Sequence, residues 1–289
     1  MLNRIVIGTA QFGSNYGISN TKGKVDSAEI KKILDYAVSL GIDTLDTATS
    51  YGSSEEELSN FISDYWHVST KIQRMPDNLK DVNAWIENQI DKSMNRLGVK
   101  SISSLFFHDP MQLLEKDGSL MWNSIQILKE KKKVNRIGFS IYSPKELDKL
   151  LNLYKPDIIQ VPYNILDRRI EESGWLKKLQ NINIEVQARS IFLQGLLLMD
   201  IKDRPKKFSP WSDTWSKWDG WLKNNNLTAT QAAFAFAFKN TRFNKIVIGI
   251  ENLEQLKEIY TNLSLNISSF PDFDVHDINL IDPSKWNDI

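Results

Sequence analysis

Short apolar runs and longer stripes of helical period alternate along this chain from end to end. Runs rich in Ile, Val, Leu and Phe predict strands over 4–10, 43–48, 67–72, 102–110, 136–140, 157–161, 184–190 and 245–250. Between them, Ile30, Ile33, Leu34, Ala37 and Val38 mark a helix that Ser27 caps and Gly41 stops. Leu58, Phe61 and Ile62 mark a second, with Ser53 or Ser54 as its cap and Glu55, Glu56 and Glu57 as favourable first-turn acids. Val82, Ile86, Ile90, Met94 and Leu97 line a third that ends at Gly98. Further helices are expected over 120–132, 144–153 and 253–263. The stretch from Gln11 through Gly13, Tyr16 and Gly17 reads as a loop, with no helix directly after the first strand.

Eight near-continuous apolar strands separated by helices predict an α/β protein with a parallel sheet. Their number, in 289 residues, favours a closed (β/α)8 TIM barrel over a doubly wound sheet. No linker composition interrupts the alternation, so 1–289 is read as one catalytic domain. The surplus length falls in a long loop at about 200–220 and a tail at about 264–289, candidates for a lid and for substrate-pocket segments. Trp211, Trp215, Trp218 and Trp221 recur at helical spacing, which favours a helix face packed on the barrel over a sugar-stacking platform.

Composition removes several chemistries. The 36 basic and 36 acidic residues cancel, so no net field draws nucleic acid or an anionic membrane surface. The absence of cysteine excludes disulfides and thiolate nucleophiles, and three scattered histidines give no zinc spacing, so no metal site is expected. No run is long enough for a membrane span or a signal peptide, and the expected location is cytoplasmic.

In such a barrel the chemistry sits at the carboxyl ends of the strands, where Asp46, Lys71, His108, Ser140, Gln160, Arg189 and Gly249 all fall. A phenol is a weak acid in water, and a nearby ammonium lowers its pKa. Lys71 is the candidate ammonium for Tyr51, Asp46 its partner, and His108 a second donor to a carbonyl oxygen. Singly, each has a duller explanation: a cap, a packed ring, a solvated lysine, a satisfied core histidine. Jointly, on the loops of one barrel face, they form a proton-delivery site. Such a site holds no reducing equivalent of its own, which points to hydride from a bound nicotinamide.

Through Gly8-Thr9, Asp46-Thr-Ala-x-x-Tyr51-Gly-x-Ser-Glu55, Ser69-Thr-Lys71, His108-Asp-Pro, Ile137-Gly-Phe-Ser140, Gln160-Val-Pro-Tyr-Asn164 and Gln194-Gly195-Leu196-Leu197, the chain resembles the aldo-keto reductase family over essentially its whole length. The resemblance implies NAD(P)H-dependent reduction of an aldehyde or ketone, with Tyr51 as the acid, Asp46 and Lys71 tuning it, and His108 orienting the carbonyl. It also implies that Ser140 and Gln160 bind the nicotinamide carboxamide. Ser190, Phe192 and Gln194 then cover the pyrophosphate, and residues from Gly249 through Glu251 and Gln255 to Glu258 bind the adenosine.

The chain departs from the family pattern at three places. Ile141 stands where Asn often follows the serine, so Asn164 is the candidate replacement. Arg189, counted with the cofactor-binding residues, stands where an aromatic residue often stacks under the nicotinamide, and its charge points instead to a phosphate or an acidic substrate. Glu251 repels a 2′-phosphate and accepts ribose hydroxyls, which leans toward NAD(H) or dual use over NADP(H), unless Lys257 reverses it. The Gln11–Gly17 and Arg189–Gly195 segments resemble a bacterial branch associated with surface-sugar biosynthesis, which implies a keto-sugar or activated sugar as substrate. Two alternatives stand beside this: a lyase or aldolase that uses Lys71 as a Schiff-base amine, and a non-catalytic NAD(P)-sensing subunit.

Overall fold

Strand residues that are apolar without alternation must be buried on both faces, which a sheet sheathed by helices provides. The structure, a computed structural model, describes residues 2–261, 263, 265 and 267–287. Its strands are β1 (Ile5–Gly8), β2 (Thr44–Asp46), β3 (His67–Ile72), β4 (Ser104–Phe107), β5 (Ile137–Ser140), β6 (Ile158–Pro162), β7 (Glu185–Arg189) and β8 (Lys245–Gly249). All pair in parallel and in chain order, and β8 returns to β1 with Ile5 opposite Ile246 and Gly8 opposite Gly249. The sheet is therefore a closed (β/α)8 barrel. Each predicted strand is present; β3 has the expected bounds, β6 is shifted by one residue to 158–162, and the others are trimmed at one or both ends.

The helices depart from the expected pattern in instructive ways. Asp26, one residue before Ser27, is the real cap of the helix Ser27–Ser39: its carboxylate accepts from the Glu29 N–H at 2.9 Å. Asp81 caps Val82–Leu97 in the same manner, and Gly98 ends that helix in the left-handed conformation. Ala10–Gly13 forms one helical turn directly after β1, where a loop is expected, and it buries Phe12. The helix Ser54–Ser59 has no side-chain cap from Ser53; Ser54 Oγ instead donates to the Thr9 carbonyl at 2.9 Å. Glu55 is not a solvated first-turn acid either. It is 2% exposed and accepts from Thr70, Ser93 and Arg96.

The region 200–220 is largely helical, with a tight turn over Lys206–Trp211 followed by the helix Ser212–Asn224. Trp215 and Trp218 are buried and donate to the carbonyls of Phe208 and Leu197, both at 3.0 Å. With Leu196, Phe273, Ile281 and Trp286 they belong to a second apolar cluster beside the barrel core. The tryptophans are thus a packed helix face. Helices over Arg169–Glu172, Trp175–Asn181 and Ala229–Lys239 complete the outer ring around β7, in stretches to which the hydrophobic pattern assigned no element. No helix among the described residues is long and apolar enough to cross a membrane.

Candidate active site

β2 ends at Asp46 and β3 carries Lys71, and the barrel places the two side chains together in its interior. Lys71 Nζ lies 2.5 Å from Asp46 Oδ2 and donates also to the Thr47 carbonyl at 3.0 Å; the lysine is 1% exposed. Asp46 Oδ1 accepts from Gln160 Nε2 at 2.9 Å, so the carboxylate bridges β3 and β6. Tyr51 stands on the loop after β2, its ring centroid 5.2 Å from Lys71 Nζ. His108 follows β4 directly and meets the Tyr51 ring edge-on at 6.0 Å, with its Nδ1 3.3 Å from Ser50 Oγ.

The electrostatics differ from the sequence expectation at two of these groups. The Tyr51 pKa is raised, first by burial and then by the Asp46 carboxylate, and Arg189 is the cation that pulls it back. Lys71 lies 5.2 Å from the ring centroid and is paired with Asp46, whose carboxylate opposes its pull on the phenol. Burial also pulls the Lys71 pKa down, opposed by the charge and hydrogen bond of Asp46. The His108 pKa is lowered to about 3, by burial first and then by Lys71 and Arg189, so the ring is neutral at physiological pH. Together they present a protonated phenol and a neutral imidazole side by side.

These groups open onto a cavity of about 410 Å³. Asp46, Tyr51, His108, Ser140, Gln160, Arg189, Ser190, Phe192, Gln194, Gly249, Glu251 and Gln255 all line it. Lys71 lies behind its wall. Glu258 is absent from the cavity lining although the next residue, Ile259, is part of it; its carboxylate accepts from the Thr228 hydroxyl at 2.7 Å. Asn164 does not replace the missing amide: its oxygen accepts from the N–H groups of Leu166 and Asp167, both at 2.9 Å, and its nitrogen donates to the Ser190 carbonyl. Lys257 pairs with Glu254 at 2.8 Å and is absent from the lining.

Several wall residues carry no local sequence signal of their role, among them Tyr142, Thr230 and Ser284. Gln11 and Tyr16 lie in a Gly-containing loop whose composition does mark it as irregular. Tyr16 comes within 6.3 Å of Tyr51, and burial raises its pKa to about 12. That loop is laid on the segment after β7, with the Ile18 N–H donating to the Gln194 carbonyl at 3.0 Å. Gly195 has φ +91°, and a Cβ there would fall 1.8 Å from Ser19 Oγ, so only glycine allows the two segments to close.

The lining fits a nicotinamide dinucleotide. Gln160 Oε1 is buried without a hydrogen-bond partner in the cavity wall, an acceptor that a carboxamide N–H would satisfy. Ser190, Leu193, Gln194 and Gly195 all have positive φ, which curls the backbone into the kind of concave turn that receives phosphate oxygens. The cavity continues from there to Glu251 and Gln255.

The sequence model of the aldo/keto reductase family matches residues 4–281. The chain belongs to the aldo/keto reductase family. This aldo/keto reductase is 25% identical to the L-glyceraldehyde 3-phosphate reductase of Escherichia coli K12, over 90% of its own length and 87% of that protein. It is 28% identical to the aldo-keto reductase YhdN of Bacillus subtilis over 59% of its length and 53% of that protein. A crystal structure from Pseudomonas aeruginosa, ascribed to the same family, superposes with a TM-score of 0.66 at 19% identity and covers 90% of the chain and 89% of its own. Membership makes the protein an oxidoreductase that reduces carbonyl groups to alcohols, in a family that generally uses NAD(P)H.

Proposed function

We propose that this aldo/keto reductase reduces a hydroxylated aldehyde or ketone, a keto-sugar or activated sugar, with Tyr51 as the proton donor. The observation that carries the reading is the pairing of a protonated Tyr51 with a neutral His108 at the mouth of a cavity backed by the buried Asp46–Lys71 pair. NAD(P)H, when bound, supplies hydride to the carbonyl carbon. His108 donates a ring N–H to the carbonyl oxygen and orients it toward the phenol. Tyr51 passes its proton to that oxygen as alkoxide character develops, and Lys71, close behind the ring, stabilises the phenolate left behind. The proton returns from solvent.

Gln160 and Ser140 would hold the nicotinamide carboxamide, and Ser190, Phe192 and Gln194 the pyrophosphate. At the adenosine end Glu251 supports NADH or dual use. Its backbone N–H donates to Gln255 Oε1 at 2.7 Å, both residues line the cavity, and burial raises its pKa while Lys22 pulls it back. The relative named for glyceraldehyde 3-phosphate supports a short hydroxylated carbonyl compound as substrate. A Schiff-base role for Lys71 is disfavoured by its enclosure between Asp46 and the Thr47 carbonyl.

Fluorescence titration of the wild type and Tyr51→Phe with NADH and NADPH, beside turnover of glyceraldehyde, tests this. Both proteins should bind cofactor, NADH at least as tightly as NADPH, while the variant loses about 10²–10⁴-fold in kcat. Undiminished turnover in Tyr51→Phe would sink the assignment of the acid.

A further inference from the structure

Arg189 is a charged wall residue whose part in the reduction chemistry is confined to its pull on the Tyr51 pKa. Its guanidinium is held on three sides: one terminal nitrogen donates to the Ile141 carbonyl at 2.9 Å, the other to Ser190 Oγ at 3.1 Å, and the plane lies 4.6 Å over the Tyr142 ring. Tyr142 is fixed in turn, since Arg169 donates to its carbonyl at 3.0 Å and Glu146 accepts from its N–H at 2.9 Å. The Arg189 Nε is buried and without a hydrogen-bond partner. Among the described residues no carboxylate forms an ion pair with Arg189, whereas Arg74, Arg96, Arg136 and Arg204 each have one. Glu146 is the acid on that side, and its carboxylate already accepts from the N–H groups of Tyr142 and Ser143.

A guanidinium cannot discharge by losing its proton. Fixed in a partly dry wall with Glu146 as a charge neighbour but no carboxylate in ion-pair contact, it keeps part of an electrostatic penalty that an incoming anion relieves. Its position bears on which molecule brings that anion. Tyr142, on which it stacks, and His108 both line the main cavity and also an adjoining cavity of about 440 Å³, whose walls include Gln73, Asp109, Glu146 and Ser284. Arg189 lines the main cavity against Tyr142, a residue the two cavities share, and its charge is felt at Tyr51 and His108.

We infer that Arg189 is a substrate-specificity residue that receives a carboxylate or phosphate carried by the carbonyl compound, so that the enzyme selects anionic over neutral substrates. This rests on the reductase reading above. The guanidinium is pre-organised by Tyr142 and the Ile141 carbonyl, which leaves its remaining N–H groups, the buried Nε–H among them, to meet an oxyanion with little ordering cost.

The test compares matched pairs with NADH and with NADPH: glyceraldehyde against glyceraldehyde 3-phosphate, and butanal against succinic semialdehyde. In the wild type, kcat/KM should be about tenfold to a hundredfold higher for the charged member of at least one pair, the range expected of a charge-assisted hydrogen bond. The pair that shows the preference tells phosphate from carboxylate. In Arg189→Met that ratio should fall toward one, chiefly through KM, and Arg189→Lys should recover part of it. Equal kcat/KM within both wild-type pairs would overturn the inference while leaving the reductase reading intact, and that comparison needs no variant to fold. A variant that keeps the ratio but binds NADH tenfold more weakly in the fluorescence titration would assign Arg189 to the cofactor and likewise overturn it. Absence of turnover on all four compounds with cofactor bound would instead remove the reductase reading, and the inference with it.

Discussion

At Lys71 two opposing effects meet in one residue. Burial disfavours the ammonium and Asp46 favours it, and burial is the larger. Sequence logic weighs only the partner, because how dry a residue becomes is not written near it. His108 gives a sharper consequence. Its folded value of about 3 lies below the ordinary value of about 6.5, so between the two the unfolded chain takes up a proton that the folded chain does not. Stability contributed by this residue is therefore present above pH 6.5 and lost on acidification, with a slope of at most about 1.4 kcal/mol per pH unit. His108→Gln removes that component. Urea unfolding at pH 7 and pH 5 should show the wild type losing more stability than the variant, and parallel pH dependences would mean that the imidazole titrates as in water.

Among the elements, the short helix Ser54–Ser59 shows how a rigid loop is made for Tyr51. Its amino end is tied by Ser54 to Thr9, the residue after β1, and its second residue, Glu55, accepts from Thr70 on β3 at 2.7 Å and from Ser93 and Arg96 on the helix Val82–Leu97. One carboxylate thus joins three elements directly beneath the catalytic loop. Glu55→Ala leaves the buried hydroxyls of Thr70 and Ser93 without this acceptor and Arg96 with only its longer contact to Glu56, a loss of about 3 kcal/mol. Denaturant titration checks the magnitude. A loss below about 1 kcal/mol would mean that water replaces the carboxylate and that the helix is held by Leu58 and its neighbours alone.

On the scale of the whole molecule, the tail returns to the mouth of the barrel. Trp286 is 3% exposed, packs edge-on against Phe208 at 4.9 Å and donates to the Leu280 carbonyl at 3.1 Å, which sets Ser284 in the wall of both cavities. Core truncation at such a site costs about 3–5 kcal/mol. In Trp286→Ala the second apolar cluster should loosen and KM for the carbonyl substrate should rise more than kcat falls. Unfolding curves and steady-state kinetics together test it, and an unchanged KM would detach the tail from the substrate site.

The barrel, and the meeting of Asp46, Tyr51, Lys71 and His108 at one end of it, were legible from local sequence because their causes are local. Doubly buried strands must be apolar throughout, helices must show a 3.6-residue stripe, and in a barrel of this kind functional side chains sit where a strand ends, so Asp46, Tyr51, Lys71 and His108 could be placed by position alone. What depends on distant segments meeting was not legible. The three-element contact of Glu55, the release of Asn164 and Glu258 from the cavity, the entry of Tyr142 and Ser284, and the unpaired guanidinium of Arg189 all follow from which chains the closed sheet brings within hydrogen-bond reach. Desolvation, which decides the direction of the Tyr51, Lys71 and His108 shifts, is a sum over atoms remote in sequence, and only the packed tertiary structure carries it.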